Sequence, residues 1–97
     1  MAMSRMTNQT TVAVRAGQVF RAKARRGEKR VRIERVLART QGYEPYAFAH
    51  EIDADGKRRT GTSKRSGLPR GMQFVVQLTW SGERRAWVMP PFYEATA

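Results

Sequence analysis

The feature of this sequence that most restricts its fold is the alternation of apolar and polar residues at strand spacing. In residues 46–53, aromatic or aliphatic side chains and His50 alternate with small or acidic ones, and residues 72–80 repeat this period. Neighbouring side chains of a strand point to opposite faces, so the period predicts half-buried strands. Turn residues separate such segments, and the pattern predicts a mainly β fold: a small antiparallel barrel or strongly bent sheet of five to six short strands.

Residues 30–40 support two interpretations. The first apolar residues of this segment alternate with charged ones as in a strand, whereas Val36 and Leu37 break the parity. A β-bulge near Glu34 and Arg35 would account for the change, because a bulge switches the face that points inward. The alternative is a basic amphipathic helix, which would make the fold α+β. The β-branched residues of the segment favour the strand.

Residues 53–56, with the sequence Asp-Ala-Asp-Gly, predict a tight turn, since Asp-Gly supplies the positive backbone torsion angles that hairpin turns need. We expect residues 57–62 to return as a strand. No large apolar residue occurs between residues 57 and 67. Such a strand cannot contribute a core face, so it would form an edge or an exposed arm.

Large apolar side chains are scarce, because Leu, Ile, Val and Phe number 3 + 2 + 8 + 4 = 17 of 97 residues. A chain this short and this poor in apolar residues borders on disorder, but the strand spacing favours a single folded domain. We expect this domain to span residues 12–91, with a flexible tail at 1–11 and a C-terminal tail at 92–97. Four aromatic residues on the apolar sides of their strands are expected in the core: Phe20, Phe48, Phe74 and Trp80.

The sequence Gly-Gln-Val-Phe at residues 17–20, followed by a long bulged strand, a hairpin and two closing strands, resembles the Src-homology-3-like small barrels found among short phage and actinobacterial proteins. The resemblance extends by pattern over residues 12–90, with residues 17–20 as its one local motif. It implies a small barrel of a kind that serves nucleic-acid binding and protein binding alike. It assigns no functional residue to this chain.

The basic residues are concentrated in two blocks. The chain has 19 Lys and Arg against eight Asp and Glu, a net charge of +11. Residues 15–39 contain ten basic and two acidic residues, and residues 57–70 contain six basic residues and no acidic one. Residues 43–55, between them, contain four acidic residues and no Lys or Arg. A strongly basic chain with a directional patch makes nucleic acid the expected partner class.

Candidate site residues follow from this distribution. Guanidinium and ammonium groups bind phosphate oxygens, and the Gly, Ser and Thr residues of 57–67 add backbone amides and hydroxyls. The candidates for phosphate contact are Arg58, Arg59, Lys64 and Arg65 in the second block and Arg26, Lys29, Arg30 and Arg32 in the first. The candidates for base stacking or partner contact are Trp87, Phe92 and Tyr93, although a core position is favoured for Trp87.

The residues on which most enzymes depend are scarce. The chain has no Cys, which excludes disulfides and thiolate metal sites. Its one histidine, His50, has no nucleophile placed beside it by the sequence. Residues 53–56 lack the later ligands of a calcium loop, and Gly67 is followed by Leu68 where a phosphate-binding loop requires Lys. We therefore predict a protein that is not an enzyme and needs no metal or cofactor.

These observations predict a non-enzymatic nucleic-acid-binding protein that contacts phosphates with little sequence specificity. The alternative is a small basic interaction module, of a kind that phages encode, which docks on an acidic host protein and regulates or inhibits it. A ribosome- or RNA-associated protein is a third interpretation. No apolar stretch approaches a membrane span or a signal peptide, so we expect a cytoplasmic protein associated with nucleic acid or the nucleoid.

Overall fold

The computed structural model describes residues 11–24, 27–38 and 44–96. The tail predicted for residues 1–11 lies outside this part of the chain, except for its last residue. The described residues form seven strands and no helix, which confirms the mainly β, antiparallel fold. The strands are β1 (Val19–Ala24), β2 (Gly27–Leu37), β3 (Tyr46–Ile52), β4 (Phe74–Gln77), β5 (Thr79–Ser81), β6 (Ala86–Val88) and β7 (Tyr93–Ala95).

Five strands form one antiparallel sheet in the order β4-β3-β2-β1-β7, and β5 and β6 form a separate two-stranded sheet. β2 is the longest strand, with eleven residues, and it lies at the centre of the larger sheet. Its first residues pair with β1, and its later residues pair with β3. A strand this long can pair along both edges with partners offset along its length, so β2 joins the two ends of the sheet.

β2 contains the bulge predicted near Glu34 and Arg35. Ile33 lies opposite Ala49 and Arg35 lies opposite Phe48, so Glu34 is the extra residue. An extra residue reverses the side to which the following side chains point, which explains the broken parity of the sequence. The helical alternative is wrong for the described part of this segment, because β2 continues as a strand through the bulge.

The core lies between the two sheets. One face of the five-stranded sheet, called here the inner face, is covered by the β5–β6 sheet and by the segment before β1. Trp87 of β6 packs against Trp80 of β5 with ring centroids 5.6 Å apart and planes at 65°, an edge-to-face geometry that suits the ring quadrupoles. The buried cluster consists of Val14, Phe20, Val31, Ile33, Ala47, Ala49, Val76, Leu78, Trp87 and Met89.

The sequence predicted the alternation of β3 correctly but assigned the wrong side of it to the core. The fully buried side chains are Ala47 and Ala49, both 0% exposed, whereas Tyr46 and Phe48 point to the opposite, outer face. Phe48, predicted to be a core residue, is half-buried there. The inner face is the enclosed one because its side chains join the core cluster with Val14, Trp87 and Met89.

The other predicted core aromatics lie on the inner side. Phe20 is buried, and Phe74 and Trp80 are partly buried against the core cluster. The segment predicted as one strand at residues 72–80 is divided between the two sheets, because Leu78 lies between β4 and β5. The backbone N–H of Leu78 donates to the carbonyl of Pro45 at 3.3 Å, and the Leu78 side chain is buried at this crossing point.

The return strand expected after the turn at residues 53–56 differs from the structure. The turn at residues 53–56 forms, closed by the Asp53 N–H and the Lys57 carbonyl at 2.8 Å, but the expected strand at 57–62 does not. Its pairing with β3 stops after an isolated bridge between Ile52 and Arg58, since a segment without apolar side chains gains little by lying in a sheet. Within residues 92–97, which we expected to form a C-terminal tail, β7 pairs with β1 and Tyr93 packs against the core cluster.

Candidate nucleic-acid interface

The basic loop, defined as residues 57–70, is folded on itself. The N–H of Ser63 donates to the Leu68 carbonyl at 2.9 Å, and the N–H of Gly67 donates to the Ser63 carbonyl at 2.8 Å. Gly67 has a φ of +73°, a conformation that residues with a side chain rarely adopt. These contacts form a closed turn at residues 63–67, which presents Lys64 and Arg65 as an exposed pair at its tip.

The base of the basic loop is held at Gly71. The Nε of Arg58 donates to the Gly71 carbonyl at 2.6 Å. Gly71 is buried, and a Cβ built on it would overlap the carbonyl oxygen of Arg59. The two ends of the basic loop therefore approach more closely than a side chain at position 71 would permit.

Arg58 and Arg59, adjacent in the chain, extend to different sides of the sheet. The Arg58 guanidinium lies 3.5 Å from a carboxylate oxygen of Glu34, a residue of the bulge. The Arg59 guanidinium lies 3.1 Å from a carboxylate oxygen of Glu51, whose position in register is on the inner face. Both arginines, predicted to contact phosphates, thus already have carboxylate partners that attach the loop to β2 and β3.

The Glu34 carboxylate is the centre of a polar cluster on the outer face. His50, which is 8% exposed, places its Nδ1 2.9 Å from one Glu34 oxygen, and Gln73 donates to the other at 3.3 Å. An ionised carboxylate can only accept, so the His50 proton of this bond lies on Nδ1. The hydrogen bond from His50 lowers the pKa of Glu34 below its ordinary value, against partial desolvation, with smaller contributions from Gln73 and the charge of Arg58.

Arg32 also has a structural partner. Its Nη2 donates to the carbonyl of Gly56 at 2.6 Å, so its guanidinium holds the turn at residues 53–56 over the outer face. The Asp53 carboxylate closes the same turn by accepting from the N–H groups of Asp55 and Lys57, each at 2.9 Å. Three of the eight predicted phosphate contacts, Arg32, Arg58 and Arg59, are therefore engaged within the fold.

Four of the predicted contacts are exposed and have no ion pair within residues 11–24, 27–38 and 44–96. They are Lys29 and Arg30 at the start of β2 and Lys64 and Arg65 at the tip of the basic loop. The eighth, Arg26, lies outside the described residues. The predicted site thus divides into side chains that build the loop and side chains that remain available to a ligand.

A cleft of about 440 Å³ separates the start of β2 from the basic loop. Lys29 lines one wall, and Arg59, Arg70 and the side chains of two serines line the other. Glu28 and Glu51 also line it, and Glu51 is occupied by its ion pair with Arg59. Two basic blocks that are distant in the sequence therefore meet at one concave surface.

A second feature, which the sequence did not single out, lies on the outer face. Tyr46 and Phe48 pack edge to face, with centroids 5.5 Å apart and planes at 70°. The Arg35 guanidinium lies 4.2 Å from the centroid of the Phe48 ring, a cation–π contact. The bulge predicted from the sequence was the one signal for this contact, because the bulge places Arg35 directly opposite Phe48.

The three predicted stacking residues have different environments. Trp87 is 7% exposed and belongs to the core, so it offers no accessible ring face. Phe92 is 62% exposed and lies 4.5 Å from the Tyr93 ring, centroid to centroid. Tyr93 is partly buried against the core, and this burial raises the pKa of its hydroxyl. Of the three, Phe92 alone presents most of its surface to solvent.

The described part of the chain contains no cluster of three or more His, Asp or Glu side chains that could bind a metal ion. It also contains no helix with the length and apolar character needed to cross a membrane. Comparison with protein families, with curated proteins and with solved structures finds no match to this chain. The chemistry of the exposed residues is therefore the basis for a functional proposal.

Proposed function

We propose that this protein binds nucleic acid without acting on it as an enzyme, through contacts between phosphates and the exposed Lys and Arg side chains around the cleft. The observation that carries the proposal is the meeting of two basic blocks at that cleft. Lys29 lines the cleft, and Arg30, the next residue of β2, lines an adjoining depression. Lys64 and Arg65 lie on the loop that forms the opposite wall of the cleft. None of these four has an ion pair among the described residues, so binding a phosphate breaks no contact of the fold.

Electrostatics supports a role of these cations in binding nucleic acid, beyond keeping the protein in solution. The net charge of +11 attracts polyanions from a distance, and the folded turn at residues 63–67 holds two of the cations together. Each phosphate that a protein cation neutralises releases counterions from the nucleic acid. Four such contacts on duplex DNA would give a slope of about −3.6 in log affinity against log salt concentration.

The proposed contacts distinguish bases poorly. Contacts from Lys and Arg to phosphate position a protein on nucleic acid but carry no sequence information directly. We therefore expect affinities for unrelated sequences of equal length to agree within a few-fold, with salt concentration as the main determinant.

The test is a pair of matched charge reversals. Lys64→Glu with Arg65→Glu changes the turn of the basic loop, and Arg84→Glu with Arg85→Glu changes the turn between β5 and β6. Both pairs are adjacent, exposed and located in turns. Each variant replaces two cations by two carboxylates, so both change the net charge equally. Fluorescence anisotropy with a labelled oligonucleotide should show a loss of at least tenfold for the loop variant and a much smaller loss for the control.

A salt titration separates local contacts from net charge. The slope for duplex DNA should decrease in magnitude by about two units in the loop variant, because two contacts are removed. Lys29→Glu with Arg30→Glu should give a similar decrease from the other side of the cleft. Equal losses in the loop variant and in the Arg84 and Arg85 control would show that only net charge matters, and the proposed interface would be wrong.

A second candidate function is favoured by two exposed apolar side chains at the same cleft. Leu68 is 48% exposed and Met72 is 45% exposed, and both line the wall formed by the basic loop. Apolar side chains among cations suit an acidic protein surface with an apolar centre. Affinity purification from the source cell with and without nuclease distinguishes the two functions, since a stoichiometric protein that persists after nuclease supports docking.

A further inference from the structure

We infer that the outer face of the sheet carries a stacking site for the unpaired bases of a single-stranded nucleic acid, formed by Phe48, Tyr46 and Arg35. The inference rests on the proposed nucleic-acid binding and names the class of nucleic acid that is bound. We call these three side chains the stacking site.

The register of three neighbouring strands assembles this site. Phe48 pairs with Val75 of β4 on one side and with Arg35 of β2 on the other. Val75 is 57% exposed, and Arg35 is exposed as well. Neighbouring strands are about 4.8 Å apart, so these three side chains form one row across the outer face, and Tyr46 lies two residues from Phe48 in the next row.

Burial in the core does not account for the two rings, because both lie outside the core cluster and are only partly covered on the outer face. The chain has four Phe and three Tyr residues and few other large apolar side chains, so placing two rings outside the core sacrifices apolar burial. The ring faces are instead arranged beside a cation, with Arg35 4.2 Å from the Phe48 centroid. Aromatic rings and guanidinium planes are the two surfaces on which proteins stack unpaired bases.

Arg35 has a role that a solvated surface arginine would lack. It forms no ion pair with a carboxylate in the described residues, and the bulge directs it onto Phe48. A guanidinium lying over a ring keeps its other face and its N–H groups available. It can therefore stack on a base and donate to a phosphate of the same strand.

The stacking site is continuous with the basic loop. Glu34 directly precedes Arg35, and Arg58, at the start of the loop, lies 3.5 Å from the Glu34 carboxylate. A nucleic-acid strand seated on the stacking site would therefore pass close to Arg58, where the basic loop begins. A duplex could use the same cations but not the rings, because its base faces are already stacked on one another.

The test compares three oligonucleotides of equal length. The first is a single strand with pyrimidine bases and the second is an abasic strand with the same number of phosphates, so these two differ only in their bases. The third is a duplex, which has twice as many phosphates and no unpaired bases. The unsubstituted protein should bind the pyrimidine strand on the order of tenfold more tightly than the abasic strand at the same salt concentration. Phe48→Leu keeps apolar volume but removes the flat ring, and it should reduce this preference to less than twofold.

Two further variants separate stacking from folding and from charge. Arg35→Lys keeps the charge but removes the planar guanidinium, so it should weaken binding of the pyrimidine strand several-fold and leave the abasic strand unchanged. Phe92→Leu removes the exposed ring that the sequence also named for stacking, and it should leave the preference for the pyrimidine strand unchanged. Loss of that preference in Phe92→Leu, but not in Phe48→Leu, would overturn the assignment to the outer face. Thermal unfolding of each variant verifies that it is folded at the temperature of the binding measurement.

The outcomes distinguish this inference from the proposed function. Equal affinity for the pyrimidine strand and the abasic strand, unaffected by Phe48→Leu, would overturn the stacking site and leave phosphate binding intact. If none of the three oligonucleotides is bound at low salt, the proposed function itself is overturned. Binding of an acidic peptide that is lost in Phe48→Leu, without any binding of the pyrimidine strand, would assign the row to a protein partner instead.

Discussion

The two faces of β3 differ in how far they are enclosed, although both follow from one alternating sequence pattern. On the inner face, Ala47 and Ala49 are fully enclosed beneath the β5–β6 sheet. On the outer face, Tyr46 and Phe48 remain half-buried beside Arg35. The larger side chains thus lie on the less enclosed side. Alternation therefore identifies two faces of a strand, whereas the presence of a covering layer decides which of them becomes the core.

The outer face itself is divided. At the end of β3, His50 and Ile52 are buried. Arg32, which lies opposite His50, donates to the Gly56 carbonyl and so holds the turn at residues 53–56 at this end of the face. At the start of β3 the outer face stays open. The polar cluster around Glu34 lies between the buried end of the outer face, at His50 and Ile52, and its open end, at Tyr46 and Phe48.

The largest loss of stability is expected from Ala49→Leu, which tests whether the inner face of β3 is the enclosed one. The side chain at this position has no free space, so three added carbon atoms should force the two sheets apart and cost about 3 kcal/mol of unfolding free energy. Chemical denaturation gives this value directly. The matched control is Val75→Leu on the open outer face, which should change stability by less than about 0.5 kcal/mol. Equal losses at the two positions would contradict the assignment of the inner face.

A smaller loss of stability is expected from Gly71→Ala, at the base of the basic loop. The added Cβ would overlap the Arg59 carbonyl, and relief of this overlap should weaken the bond between Arg58 and the Gly71 carbonyl. We expect a loss of about 1–2 kcal/mol and faster proteolysis within residues 57–70. Gly82→Ala is a control, because nothing lies within 4 Å of a Cβ there. An unchanged cleavage rate would show that Gly71 does not hold the loop.

The smallest effect concerns the boundary between the two halves of the outer face. The folded pKa of Glu34 is below its ordinary value of 4.5, so its ionised form stabilises the protein above pH 4.5, and this contribution is lost as the pH falls through the folded pKa. Glu34→Gln should therefore be less stable than the unsubstituted protein at pH 6, and the difference should shrink below pH 4.5. Unfolding curves at several pH values measure it. A difference that grows on acidification would contradict the hydrogen-bonded carboxylate.

Much of the local structure was predictable because its causes are local. The strand at Tyr46–Ile52, the bulge at Glu34 and the turn at residues 53–56 each depend on neighbouring residues in the chain. The return strand at 57–62 was wrong, because a turn sequence ensures that the chain reverses but not that pairing continues. The pairing of β7 with β1 depends on residues more than 70 positions apart, and no local pattern reports it.

The candidate site was predictable as a set of residue types and not as an arrangement. Arg58 and Lys64 are equivalent in the sequence, as members of one basic block. In the fold, Arg58 donates to Gly71 and lies beside Glu34, whereas Lys64 projects from the tip of the loop. A cation becomes structural when an acceptor from a distant segment lies within its reach, and this depends on how the segments pack.

The sequence by itself determined that this protein is mainly β, that β2 is bulged and that its charge is concentrated in two basic blocks. These properties follow from side-chain period and composition, which do not depend on distant contacts. Only the tertiary structure decided that alanines, not aromatics, line the enclosed face of β3, that the two blocks meet at one cleft, and which cations remain exposed. The physical reason is that enclosure and ion pairing are properties of surfaces that meet, and the chain brings those surfaces together from positions far apart in sequence.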